Sequence, residues 1–350
     1  MEQTQTGNEN FKIISVFNHK GGVSKTTTTY NIGWKLADKG YKVLLVDGDP
    51  QCNLTGLLLK DAFEEYYIGT NKLNNIKDGV RPAFEGAPHP IKAIDCYIPE
   101  ENENLFLIPG HMDLSEYDPA LSLALNSNNA ITTLQNLPGS FYELIQLCAH
   151  KYSIDYVLID MNPGLSAINQ TFFITSDAFI IPTNPDPFSI MALNTMQKIL
   201  PRWKQWAITS QPFFETATYP LPQREPKFIG EIIQRFNLRN NKPAAAYSDK
   251  ITEINDFIEG SFINTLKKFN MIYDIEPAKK LELIDSHCLA QIPEFGALIQ
   301  RSHEHGVPIF SLNENQLGTT GKVKERMLEK QEEINILFEN ITNAIVEILK

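Results

Sequence analysis

Phe11-Lys12-Ile13-Ile14-Ser15-Val16-Phe17-Asn18-His19-Lys20-Gly21-Gly22-Val23-Ser24-Lys25-Thr26-Thr27 is the stretch that decides the fold. Residues 11–18 cluster apolar side chains like a buried parallel strand, and residues 25–39 place Ile32, Leu36 and Ala37 at helical spacing. The segment from Lys20 to Thr27 therefore sits at a strand-to-helix turn. Glycines at such a turn let the backbone curl so that successive N–H groups point inward, and the helix N-terminus adds partial positive charge. The product is an anion nest suited to a nucleotide's phosphates. Lys25 adds a point charge for the β and γ phosphates, and the Thr26 hydroxyl is a magnesium ligand of the right kind. The competing reading is an ordinary glycine turn with Ser24 or Thr26 as a helix cap. The combination of Lys, Thr and strand-loop-helix context favours the phosphate site.

The general phosphate loop has Gly six residues before its Lys and again directly before it, whereas this chain has His19 and Ser24 there. The pattern KGGxxK[ST] resembles instead the deviant Walker A motif of the ParA, MinD and Soj family, with Lys20 in the position of that family's signature lysine. The resemblance implies ATP and Mg2+ as ligands, with Gly21, Gly22, Val23, Ser24, Lys25, Thr26 and Thr27 around the phosphates. It also implies a homodimer formed on ATP binding, a sandwich in which Lys20 reaches the partner subunit's nucleotide. Ser24 stands where the family usually has Gly, which bears on loop geometry and hydrolysis rate.

Two further segments follow in the family's order. Residues 42–47 (KVLLVD) suit a second buried strand, ending in Asp47-Gly48-Asp49-Pro50-Gln51-Cys52-Asn53-Leu54-Thr55, which is similar to the Walker A′ segment VDxDPQxNxT. Carboxylates at the carboxyl end of a strand face the crevice where open α/β sheets bind ligands; a plain Asp turn is the alternative. By resemblance, Asp49 orients or activates the attacking water and Asp47 lies in the outer shell of the magnesium. Tyr156-Val157-Leu158-Ile159-Asp160 reads as Walker B, with Asp160 holding Mg2+ through water, and the stretch on to Asn169 resembles the family's switch region. Residues 178–182 suit another core strand. The turn Thr183 to Ser189 is similar to the family's PxxPdpfS turn, and it leads into a helix carrying Ile190, Leu193, Met196 and Leu200. Ala290 to Glu294 and Gly306 to Phe310 resemble the pair of segments that closes the fold beside the base, which assigns Pro293 to nucleotide binding. The expected fold class is α/β: a doubly wound, mostly parallel sheet flanked by helices, with the nucleotide at its carboxyl edge.

A chain of 350 residues that is 42% hydrophobic can bury a large core. The expected organisation is a disordered tail over 1–10 and one ATPase domain over 11–350. Elaborations are expected near 62–104, 209–227 (Pro- and Thr-rich, lid-like) and 237–250. No helix-turn-helix extension is expected ahead of the first strand. Cys52, Cys96, Cys148 and Cys288 are scattered without a CxxC pair, which suggests neither a disulfide framework nor a zinc site. No apolar run approaches the ~18 residues of a membrane span, and the start is polar, so a cytoplasmic protein with no membrane partner is expected. The last helix, roughly 323–349, puts Ile334, Leu337, Phe338, Ile341, Ile345 and Ile348 on one stripe that should dock on the sheet.

The net charge is −11, yet residues 221–350 carry 16 Lys and Arg against 19 Asp and Glu, closer to balance than the 15 against 23 of residues 1–220. The resemblance implies nonspecific DNA binding and a ParB-like activator protein. Candidate basic residues are Arg235, Arg239 and Lys242, then Lys267, Lys268, Lys279, Lys280, Lys322, Lys324 and Arg326; solvated helix faces are the competing reading. Three functional readings stay open: a ParA-like partition or cargo-positioning ATPase, a ParA-like switch acting on a protein partner without DNA, and a phosphotransferase resembling dethiobiotin synthetase.

Overall fold

The computed structural model describes residues 11–127, 131–239 and 242–350, so the expected tail over 1–10 lies outside the described residues. The strands are β1 (Lys12–Val16), β2 (Val43–Gly48), β3 (Leu105–Ile108), β4 (Tyr156–Met161), β5 (Ala178–Thr183), β6 (Lys227–Phe236), the two-residue β7 (Leu238–Arg239) and β8 (Lys242–Pro243), and β9 (Cys288–Pro293). Seven of them form one sheet in the order β3-β2-β4-β1-β5-β6-β9. Every neighbouring pair in it is parallel, so the expected "mostly parallel" sheet is parallel throughout. From β1 the chain first builds β2, β3 and β4 on one side, and then adds β5, β6 and β9 on the other. The crevice this reversal opens lies outside the carboxyl end of β1, where the phosphate loop begins.

Alternation along the strands divides the interior into two cores. Ile13, Leu44, Val46, Val157, Ile159 and Phe179 face one layer of helices, while Ile14, Val43, Leu45, Leu158 and Ile180 face the other. The helix Lys25–Asp38 lies on the second face, and Gly33 sets how close it comes. A Cβ there would stand 2.4 Å from Leu45 Cδ2. The C-terminal helix Gly321–Leu349 docks beside it with Ile334, Phe338, Ile341, Ile345 and Ile348 of the expected stripe buried and Leu337 only half-buried at its edge. Each such side chain contributes about 1.5–3 kcal/mol by leaving water.

The elaborations differ from expectation in one place. Residues 209–227 are not a lid. The helix Pro187–Phe214 continues through 209–214 despite Pro201 and Pro212, and the remainder is a strap with Ala217, Tyr219 and Leu221 buried. The Tyr219 hydroxyl accepts a hydrogen bond from Ile91 N at 2.9 Å, tying the strap to the 62–104 elaboration. The strap also runs so close to Gly139 that a Cβ there would meet Tyr219 O at 2.1 Å. Buried apolar anchors and a satisfied backbone donor make it a fixed cover. The third elaboration holds the β7–β8 ribbon. It is followed by the helix Ala245–Phe257, a π-helical turn Ile258–Phe262 and the helix Ile263–Lys267.

Candidate functional site

Beyond Val16 the chain curls through Gly22 (φ 73°) and Ser24 (φ 60°) before entering the helix at Lys25. Lys25 is buried, and its Nζ donates to the Lys20 carbonyl at 3.2 Å, so the loop wraps its own ammonium group. Ser24 holds a left-handed conformation that costs a non-glycine residue about 1–2 kcal/mol. Glycine's larger unfolded-state entropy offsets part of that relief, so Ser24→Gly is expected to stabilise the apoprotein by about 0.5 kcal/mol in urea denaturation. A loss of stability instead would show that the Ser24 side chain holds the loop together.

Asp47 and Asp160 stand opposite each other in the β2–β4 register. Asp47 is buried and its carboxylate is already engaged. It accepts from Thr55 N at 2.9 Å, Thr55 Oγ1 at 2.6 Å and Asp49 N at 3.2 Å. Burial pushes its pKa up to about 6, against the pull of these hydrogen bonds. Asp160 is equally buried, but neither of its oxygens has a hydrogen-bond partner among the described residues. Burial, then the charge of Asp47, drives its pKa well above the ordinary range; the nearby Thr26 hydroxyl and Lys25 charge pull the other way. Burial in turn lowers the pKa of Lys25, opposed by Asp160 and Asp49. A desolvated carboxylate with both oxygens free, beside a threonine hydroxyl, is a donor set for a hard cation such as Mg2+. Thr26 and Asp160 are therefore the residues that fit the metal, whereas three of the roughly four acceptor positions of Asp47 are already taken. Asp49 lines the cavity, with its Oδ1 accepting from Gln51 N at 2.9 Å.

The cavity encloses about 990 Å³, and its wall includes the loop from Gly21 to Thr27, Asp49, Gln234, Arg235 and Pro293. Pro293, assigned to nucleotide binding by resemblance, is part of that wall. Lys20 turns aside: its Nζ pairs with Asp186 of the same chain and lies 3.4 Å from Ser189 Oγ. Three contacts have no counterpart in the sequence reading. Asn184 Nδ2 donates to the Gly22 carbonyl at 3.0 Å, Arg235 Nη1 donates to the same oxygen at 2.9 Å, and Gln234 Nε2 donates to Thr28 Oγ1 at 2.6 Å. By sequence Arg235 is only a candidate basic surface residue, and no local pattern reveals its bond to the loop. Among the described residues no helix is long and apolar enough to cross a membrane.

The AAA domain family model matches residues 11–209. Soj of Bacillus subtilis, a sporulation initiation inhibitor, is 29% identical over 190 residues, which are 53% of this chain and 63% of Soj. An uncharacterised protein of Methanocaldococcus jannaschii, MJECL24, is 32% identical over 184 residues, covering 53% of this chain and 63% of that protein. The chain spans about half the length of the curated relatives it matches, from 44% to 63% of the first of them. In fold it is similar to a McdA variant from Cyanothece solved as an ATP complex, with TM-score 0.59, 17% identity and 96% of each chain covered.

Proposed function

Because the chain belongs to the ParA/MinD/Soj family of deviant Walker A P-loop ATPases, we propose that it binds ATP with Mg2+ in the cavity above β1. It hydrolyses the ATP slowly and uses the cycle as a switch in plasmid or chromosome partition or in cargo positioning. The observation that carries this reading is the Asp160 carboxylate, buried without a hydrogen-bond partner among the described residues and close to Lys25, whose loop walls the cavity.

Phosphoryl transfer asks a protein mainly for positioning and charge neutralisation. The loop's N–H groups and Lys25 take the charge of the β and γ phosphates, and Asp49 accepts a hydrogen bond from the attacking water and orients it. Magnesium, when bound by Thr26 and Asp160, supplies further neutralisation of the phosphate oxygens. Pro293 and Gln234 close the nucleotide's side of the cavity. In the ATP state Lys20 exchanges Asp186 for the nucleotide of a second copy, which joins two chains face to face. Nonspecific DNA binds next to the β7–β8 ribbon, where Arg239 lies opposite Lys242 and both are exposed, and a ParB-like protein triggers release.

Calorimetry with ATP and Mg2+, and light scattering with a nonhydrolysable analogue, test the core of this. Absence of binding, or a chain that stays single when saturated, overturns it. Asp49→Ala is expected to keep MgATP affinity within about threefold while lowering turnover at least ~10-fold, so that the dimer accumulates. Turnover at the wild-type rate would remove Asp49 from its role. A salt-dependent shift of duplex DNA that needs ATP supports the DNA arm; turnover indifferent to DNA assigns the switch to a protein partner.

A further inference from the structure

The register between β6 and β9 slips by one residue at Arg235: Gln234 pairs with Ile292, and Phe236 already pairs with Pro293. Arg235 is therefore the extra residue of a β-bulge, and it sits there at φ 61°. Bulges with a left-handed first residue ordinarily use glycine, and bulges beside active sites re-aim a side chain. Strain of this kind is concentrated at the cavity. Of the seven non-glycine residues with positive φ among the described residues, Ser24, Cys52 and Arg235 all line it. Non-glycine residues held in such conformations cluster at functional sites because the surroundings impose them.

The bulge has a definite result. Gln234 stays inside and bonds to Thr28 at the start of the helix, Phe236 is buried, and Arg235 between them swings to the exposed rim. There its guanidinium donates to the Gly22 carbonyl at 2.9 Å, and Asn184 donates to the same oxygen from the β5 side at 3.0 Å. In a trans peptide the carbonyl and the following N–H point in opposite directions. Two donors on the Gly22 oxygen thus hold the Val23 N–H turned away from them. A glycine in the left-handed region is otherwise free to flip that peptide, and a flipped carbonyl would meet phosphate oxygens with like partial charge. Arginine is always ionised and uses one of its five donors here, so it also adds a positive charge to the rim.

We propose that Arg235, aimed by this bulge, is a positioning residue for the nucleotide's phosphates: it pins the Gly22 carbonyl outward and keeps the loop's amides open to the anion. This rests on the ATP-binding reading above. Arg235→Gly separates the role from mere stability, because glycine fits the bulge without strain. The variant is expected to melt at or above the wild-type temperature and yet bind MgATP about tenfold more weakly in calorimetry, the loss of one charged hydrogen bond. Arg235→Lys, which keeps the charge and one donor, is expected to recover affinity to within about threefold of wild type. Wild-type affinity in Arg235→Gly, or melting temperature and affinity falling together, would overturn the proposal while leaving ATP binding intact. A wild-type chain that ignores MgATP overturns both.

Discussion

Lys25→Ala is expected to lower MgATP affinity by at least ~100-fold, because it removes the desolvated cation that we propose bonds to the phosphate oxygens and leaves the buried Asp160 without that counter-charge. The loop wraps Lys25 so closely that its ammonium bonds to the Lys20 carbonyl, and burial has already lowered its pKa. The cost of stripping water from that ammonium is therefore met on folding, before nucleotide arrives, and the interaction with phosphate is correspondingly strong. In the apoprotein the same substitution has a small effect. It removes an incompletely compensated buried charge together with one of the two influences that pull the Asp160 pKa down, so Asp160 takes up a proton more readily. Calorimetry on a variant whose melting temperature stays close to wild type is the measurement. Affinity within tenfold of wild type would take the phosphate-binding role away from Lys25.

The second large effect concerns Glu231, far from any motif. It is fully buried in the middle of β6, and neither of its carboxylate oxygens has a hydrogen-bond partner among the described residues. Glu259 adds negative charge nearby and is itself held by His287, whose backbone N donates to Glu259 Oε1 at 2.8 Å and whose Nδ1 lies 3.0 Å from it. Burial, reinforced by Glu259, pushes the Glu231 pKa up to about 8 from an ordinary 4.5. The folded chain thus keeps a proton that the unfolded chain has released. Its stability is full below the ordinary value and falls as pH rises toward 8, after which the loss is complete. Between pH 5.5 and 8 this one group is expected to remove about 3 kcal/mol from the stability of the protein. Glu231→Gln keeps the shape without the titration and should lack that part of the slope. Urea denaturation of both proteins at the two pH values decides it. Asp47 and Asp160 titrate in both and drop out of the difference. Equal slopes in the two proteins would show that Glu231 has a partner for its charge.

Much of the site was legible because its determinants are local. A run of apolar residues followed by two glycines, a lysine and a threonine constrains backbone and chemistry within a few residues, and the apolar runs of the main strands are read from the same kind of local pattern. The placement of Asp47, Asp49 and Asp160 at strand ends was legible for the same reason. Composition marks 215–226 as a long excursion or a lid, and does not tell the two apart, because it records proline and threonine but not that Tyr219 meets Ile91 across the fold.

What the sequence by itself determined, then, is the phosphate loop, the strands that present the acidic residues, and the α/β class. Only the tertiary structure decided which of the Asp160 and Asp47 carboxylates is left free, that Lys20 rests on Asp186, and that Arg235 and Asn184 share the Gly22 carbonyl. The contacts of Lys20, Asn184 and Arg235 join residues 162 to 213 positions apart. They depend on a one-residue slip in a strand register and on which buried groups find partners, and both are settled by packing the whole sheet rather than by any segment's own preference.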